Sequence, residues 1–151
     1  MAKRNLTPEF REFLECLNRA GVEYLLVGGY AVNYHGHHRF TEDIDFWIAV
    51  SDENFARLLA AVRHFFGDDL PGLDMSFLRN NESLYLGRVP DKIEVFQKAS
   101  GLDFNQAYPR RIEGILEGVQ VKIISLADLR TNKRASARHK DLADLEKLPD
   151  A

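Results

Sequence analysis

The stretch Thr41–Trp47, which reads TEDIDFW, places two aspartates at the start of an apolar segment. If residues 44–50 form a strand, successive side chains alternate between its faces, so Asp43 and Asp45 share one face. Their Cα atoms would then lie roughly 6.5–7 Å apart, at about 3.3 Å per residue. The residues of the opposite face are apolar and suited to burial: Ile44, Phe46 and Ile48. The pattern predicts a buried strand with two carboxylates at its start.

Two carboxylates on one face repel each other, and burial disfavours the charged form of each. A hard cation relieves both effects, and Mg²⁺ commonly binds one or two carboxylates together with substrate phosphates. An isolated Asp-x-Asp is more often a solvent-facing strand end, so other residues must support the metal site. Glu94 lies in the alternating segment 92–96, where Ile93 and Val95 face the other way. If the two strands are neighbours, Glu94 completes a site of three carboxylates.

A glycine pair, Gly28-Gly29, ends the apolar segment 23–27 and precedes a possible short helix at residues 30–34. Glycines let backbone N–H groups approach a phosphate, although a Gly-Gly after a strand is most often just a turn. The pair belongs to neither a Walker A loop nor a dinucleotide-binding fingerprint, because no lysine or third glycine is suitably spaced.

Helical and strand periodicities alternate along the rest of the chain, which predicts an α/β (α+β) protein. Capping residues and apolar spacing predict helices at residues 8–20, 52–66 and about 126–135, with a last short helix that carries Leu142, Leu145 and Leu148. The strand candidates are residues 23–27, 44–50, 75–79, 83–88, 92–96 and 119–124. We expect a mixed β-sheet flanked by helices, with helices at the C-terminal end, in a single domain of residues 1–151.

Composition excludes several classes of protein. Of 151 residues, 45% are hydrophobic and 28% are charged, which is typical of a soluble globular protein. No apolar run reaches ~18–20 residues, so we expect no transmembrane helix and no membrane partner. The polar N-terminus lacks a signal core, and the single cysteine fits a reducing compartment, so we expect a cytoplasmic protein. A net charge of −3 disfavours non-specific binding of duplex DNA.

Taken in order, these elements resemble the minimal nucleotidyltransferase superfamily, which is related to DNA polymerase β. Its pattern is an apolar strand ending in Gly-Gly or Gly-Ser, an Asp-x-Asp on the following strand, and a third acid on a later strand. Here it reads LLVGG at residues 25–29, DID at 43–45 and IEV at 93–95. The stretch 28–46, GGYAVNYHGHHRFTEDIDF, is similar to the branch of abortive-infection toxins of the AbiEii type. The tail also resembles that branch, through Leu129, Lys133, Arg138, Lys140, Asp141, Asp144 and Leu145.

The resemblance implies transfer of a nucleoside monophosphate from an NTP to a hydroxyl, with release of pyrophosphate. It assigns catalysis and metal binding to the three acids Asp43, Asp45 and Glu94, which would hold Mg²⁺, with two ions expected. The residues implied to contact the nucleotide are Gly28, Gly29, Arg39, Thr41 and Lys133. The implied partners are an NTP, an acceptor such as tRNA or a protein, and, for a toxin, an antitoxin.

Three functions remain open at this point. An active transferase could be a toxin that modifies RNA ends or a protein hydroxyl, or an enzyme that inactivates an antibiotic by adding a nucleotide. A catalytically degenerate relative would instead bind nucleotides or other proteins. Glu94 favours the degenerate relative, because the family usually carries Asp at that position.

Several other residues have both structural and functional interpretations. An acid-free basic cluster at residues 130–140 is usually a solvated helix face, but it could meet a triphosphate. The three histidines of the loop at residues 35–38 could bind zinc, although their spacing gives poor tetrahedral geometry without a fourth ligand. Trp47 could stack on a base, but packing under the last helices is favoured. Asp141 and Asp144 are expected to cap a helix or to pair with Arg138 and Lys140.

Overall fold

The computed structural model describes residues 6–88 and 91–151, so residues 1–5 of the polar N-terminal stretch lie outside it. The described residues form a six-stranded mixed sheet in the order β3-β4-β2-β1-β6-β5. Its strands are β1 (Tyr24–Val27), β2 (Ile44–Ile48), β3 (Ser83–Arg88), β4 (Asp91–Phe96), β5 (Ile112–Leu116) and β6 (Val119–Ile123). Strand β2 is parallel to β4 and β1 is parallel to β6, while the other neighbouring strands are antiparallel.

Helices flank this sheet, as the sequence predicts. They are α1 (Pro8–Ala20), α2 (Gly28–Tyr34), α3 (Asp52–Phe66), α4 (Met75–Asn80), α5 (Phe104–Ala107), α6 (Leu126–Ser136) and α7 (His139–Lys147), with a 3₁₀ turn at Tyr108–Arg110. The expected mixed α/β architecture with C-terminal helices is therefore confirmed. No helix within residues 6–88 or 91–151 has the length and apolar character needed to cross a bilayer.

The apolar face of β2 packs against the apolar face of α1. Apolar residues alternate along the strand and recur every three or four residues along the helix, so each element has one apolar face. Thr7 caps α1 by accepting a hydrogen bond from the backbone N–H of Phe10. Phe13 of α1 is fully buried, and its ring centroid lies 5.7 Å from that of Phe46. Helix α3 packs beside α1. One face of the sheet is thus closed by an apolar core, and the polar side chain of Asp45 is left for the other face.

Trp47 shares the face of Asp45 and is packed in the interior, as favoured over stacking on a base. The indole is 1% exposed, and its ring packs edge-on against Phe104 of α5 with centroids 5.1 Å apart. Its Nε1–H donates to the carbonyl of Gln97 at 3.3 Å. Such burial leaves no ring face for a base, and the aromatic partner of the indole is Phe104 of α5.

The predicted strand at residues 75–79 is wrong, because these residues form helix α4. The side chain of Asp74 accepts a hydrogen bond from the backbone N–H of Phe77 at 2.9 Å and so caps the first turn of the helix. An aspartate directly before an apolar segment is a helix-start signal. The local cap therefore outweighs the strand-like composition of the segment.

Strand β5 is missing from the sequence prediction. It pairs with β6 through a two-residue turn in which Glu117 and Gly118 both have positive φ, at 48° and 84°. This is the usual geometry of a tight hairpin, but such turns favour Asn, Asp or Gly at the first position. The sequence therefore lacks the usual hairpin pattern, because glutamate, which rarely adopts a positive φ, stands at the first turn position.

Asn54, in the first turn of α3, links the helix to the sheet. It is 2% exposed, and its Oδ1 accepts from the backbone N–H of Glu23 at 2.8 Å. Its Nδ2 donates to the carbonyls of Glu23 and Ala49 at 3.0 and 2.9 Å. One side chain therefore satisfies backbone groups just before β1 and just after β2.

We expect Asn54→Ala to lower the free energy of unfolding by on the order of 3 kcal/mol, because it leaves buried backbone groups without partners. Urea denaturation measures this loss. Asn80→Ala, at an exposed position of α4, is the control and should change stability by less than about 0.5 kcal/mol. Equal losses in both variants would show that Asn54 does not hold α3 to the sheet.

Candidate active site

The sheet places Asp45 beside Glu94. Parallel pairing of β2 with β4 makes these two residues direct partners, and antiparallel pairing of β1 with β2 makes Val27 the partner of Asp45 on the other side. Directly paired residues point to the same face of a sheet. Val27, Asp45 and Glu94 therefore form one row across three strands, and Asp43 stands just ahead of β2.

The glycine pair makes room for side chains of this row. A Cβ atom at Gly28 would lie 2.1 Å from Oδ2 of Asp45, and the φ of Gly28 is +66°. A Cβ atom at Gly29 would lie 2.6 Å from Oγ1 of Thr41. The Thr41 hydroxyl donates to the carbonyl of Asp43 at 3.2 Å. Both positions therefore require glycine, because the backbone there passes close to the side chains of Asp45 and Thr41.

A cleft of about 580 Å³ opens over the row. All eight residues singled out from the sequence line it: Gly28, Gly29, Arg39, Thr41, Asp43, Asp45, Glu94 and Lys133. The lining also includes residues that the sequence did not assign to the site, among them Ser83, Ser100, Asn132, Ser136, Arg138 and Lys140. Most of these come from α6, α7 and the segment between them, where the sequence signals were the basic cluster at residues 130–140 and the resemblance of the tail.

The carboxylates in the cleft repel one another. Burial, the charges of Glu94 and Asp43, and a hydrogen bond with Glu94 raise the pKa of Asp45 to about 7, against a smaller lowering by Lys140. Near neutral pH the Asp45 carboxyl is therefore divided between its protonated and its ionised form. A cation that approaches the row would favour the ionised form.

A buried ion cluster forms one wall of the cleft. Lys133 is 3% exposed, and its Nζ lies 3.2 Å from Oδ1 of Asp141 and 3.0 Å from Oδ2 of Asp144. Arg39 donates two hydrogen bonds to Asp144, at 2.8 and 3.0 Å. Arg138 donates from Nε to Asp141 at 2.7 Å. The cluster joins the loop before β2 to both C-terminal helices.

The two aspartates of this cluster have low pKa values for a shared reason. Burial opposes their ionisation, but hydrogen bonds from Arg138 and Ser136 outweigh it and hold the pKa of Asp141 well below its ordinary value. Hydrogen bonds from Arg39 and Lys133 lower the pKa of Asp144 in the same way. Pairing of both acids with basic residues is as expected, with one difference: the partners of Asp144 are Arg39 and Lys133, while Lys140 lies on the cleft.

Two of the three loop histidines contact other parts of the fold. A ring nitrogen of His35 lies 2.7 Å from the carbonyl oxygen of Ile124, and Nε2 of His37 lies 4.0 Å from Oδ1 of Asp144. Among residues 6–88 and 91–151, no three His, Cys, Asp or Glu side chains have donor atoms already arranged around one metal position. This holds for the histidine loop and for the carboxylate row alike.

Solved structures that share this fold include two nucleotidyltransferase-type proteins. The antibiotic-resistance factor ANT(2'')-Ia, known from a solution structure, matches with a TM-score of 0.60 at 16% identity, over 91% of this chain and 79% of its own. An antigenic nucleotidyltransferase-like protein from Paracoccidioides brasiliensis matches with a TM-score of 0.53 at 16% identity, over 95% of this chain and 77% of its own. At such identities the likeness shows the fold alone.

Sequence comparison identifies the family. No curated protein sequence gives a significant match. The family model described as the nucleotidyl transferase AbiEii toxin of a type IV toxin–antitoxin system matches residues 12–149, which is most of the chain. The chain therefore belongs to the AbiEii family of nucleotidyltransferases.

Proposed function

We propose that this protein transfers a nucleoside monophosphate from an NTP to a hydroxyl acceptor, as the toxin of a toxin–antitoxin pair. The observation that carries the proposal is the row of Asp45 and Glu94 under a cleft that all eight predicted residues line. Membership of a nucleotidyltransferase family supports the reaction class. The acceptor is an RNA end, a protein or a small molecule, and an antitoxin is the expected protein partner.

The carboxylates fit Mg²⁺ by their chemistry. The donors of Asp43, Asp45 and Glu94 are all carboxylate oxygens, and their repulsion and burial already disfavour ionised Asp45. Mg²⁺ commonly takes one or two carboxylates from a protein and completes its shell with substrate phosphates and water. When bound, two such ions would stabilise the attacking and leaving oxygens of the displacement.

The other cleft residues would bind and orient the substrates. Gly28 and Gly29 keep the cleft floor free of Cβ atoms, so a triphosphate can approach the backbone there. An ammonium has three donors, and Lys133 directs Nζ at two carboxylates, so its remaining N–H can serve a phosphate oxygen. Arg39, held by Asp144, and the neighbouring Thr41 would contact phosphate or acceptor. Glu94 would receive the proton of the acceptor hydroxyl.

A catalytically degenerate nucleotide-binding or protein-interaction module is the second candidate. The specific observation in its favour is Glu94, which stands where an aspartate is usual and is one methylene longer. Binding of NTP without transfer to any acceptor would favour this second function.

We expect Asp43→Asn/Asp45→Asn to reduce transfer by on the order of 10³-fold or more, because residues that act as one unit are jointly required. The assay follows each NTP labelled at the α-phosphate, with Mg²⁺, total RNA and cell lysate as acceptors. Asp68→Asn/Asp69→Asn, a pair of exposed acids outside the cleft, should keep full activity. Undiminished transfer in the first variant would contradict the proposed site.

We expect Asp45→Asn to stabilise the metal-free protein at pH 8 but not near pH 4. The pKa of Asp45 is about 7 in the folded protein and about 3.9 when unfolded, so stability falls as pH rises between these values. Asparagine mimics the neutral acid and escapes this cost, which is about 1.4 kcal/mol for each pKa unit.

Urea denaturation in the presence of a chelator, at pH 4, 6 and 8, measures the effect of this substitution. The exposed Asp68→Asn is its control and should show the pH dependence of the wild type. A gain for Asp45→Asn that is the same at all three pH values would contradict the raised pKa.

A further inference from the structure

The row of the site continues to the edge of the sheet. Tyr85 of β3 is the antiparallel partner of Glu94, which is in turn the partner of Asp45. Neighbouring strands lie about 4.8 Å apart, and directly paired side chains share a face. Asp45, Glu94 and Tyr85 therefore stand in order from the middle of the sheet to its edge, on the face that carries the cleft.

Strand pairing sets the side chain of Tyr85 beside that of Glu94. The charge of Glu94 is the largest cause that raises the pKa of this phenol, as expected for two groups that lie near each other. Ser83, two residues before Tyr85 on β3 and on the same face of the strand, lines the cleft. The side chain of Tyr85 is 69% exposed, so it contributes little to the core. Tyr85 thus presents a hydroxyl next to the carboxylate that would receive the proton of an acceptor.

The other tyrosines of the chain lie elsewhere. Tyr24 and Tyr30 are buried, and Tyr108 stacks on Phe104. Tyr34 is 40% exposed, but it lies near Gly114 of β5, at the opposite edge of the sheet. Tyr85 is therefore the tyrosine that the strand pairing brings to the carboxylate row.

We propose that Tyr85 is an acceptor of the protein's own reaction and becomes nucleotidylated. The phenolic oxygen forms a bond to the α-phosphorus of the NTP, and the bond from that phosphorus to the oxygen bridging the α- and β-phosphates breaks. Pyrophosphate leaves with the electron pair, and the phenolic proton passes to Glu94 and then to water. The product is a phosphodiester between Tyr85 and the nucleoside. This inference rests on the proposed transferase function, since it uses the same NTP and the same carboxylate row.

The test incubates the purified protein with Mg²⁺ and each α-labelled NTP in the absence of any other acceptor. We expect label on the protein itself and a mass increase of one nucleoside monophosphate, located by peptide mass spectrometry at Tyr85. Tyr85→Phe keeps the ring and removes only the hydroxyl, so it should lose the label. Tyr34→Phe is the matched control and should keep it.

The same proteins are assayed in parallel with total RNA and cell lysate as acceptors. Tyr85→Phe that still transfers to these acceptors but no longer labels itself supports the inference. Self-labelling that persists in Tyr85→Phe overturns it, as does wild-type protein that labels other acceptors but never itself. In both of those outcomes the proposed transferase function stands. Absence of transfer to every acceptor, the protein included, overturns both proposals.

Discussion

The parallel pairing of β2 with β4 is the constraint on which the site depends. It sets Asp45 directly beside Glu94, in a position where burial and mutual repulsion raise the pKa of Asp45 to about 7. Such an arrangement costs stability unless a cation or a proton neutralises it. The surrounding structure accommodates the row: Gly28 has no side chain because the Asp45 carboxylate occupies that space, and the apolar face of β2 supplies the core that holds the strand in place.

Two groups of acids, one buried in the wall of the cleft and one lining it, differ in how their charge is balanced. Asp141 and Asp144 face Lys133, Arg39 and Arg138 at hydrogen-bond distances, and their pKa values are lowered. A buried ion pair contributes little net stability, but removing one partner is costly because the other charge is left uncompensated. The first group therefore serves to hold α6 and α7 against the loop before β2. The acids of the carboxylate row repel one another, and this repulsion contributes to the raised pKa of Asp45.

Sequence patterns predicted those elements whose signals are local. Helices α1 and α3 have a capping residue, an apolar stripe and a terminal glycine, and the structure contains them at the expected places. The side chains of strand β2 point to alternate faces of the sheet, with Asp45 on one face and Ile44 and Phe46 on the other. The errors arose where a local signal was overlooked or atypical: Asp74 caps a helix that was predicted as a strand, and Glu117 occupies a hairpin turn that usually carries another residue type.

By itself the sequence determined the candidate acids and glycines, because Asp-x-Asp, Gly-Gly and a later acid are patterns of residue type and spacing. Arg39, Thr41 and Lys133 became candidates through the resemblance to a family. It also determined the mixed α/β class, since both periodicities can be read along the chain. Only the tertiary structure decided that Glu94 pairs with Asp45 and that Lys133 lies between two aspartates. It alone brought Tyr85 to the same row. The reason is physical: strand order and helix docking join residues that are far apart in sequence, and such long-range pairing leaves no local periodicity to read.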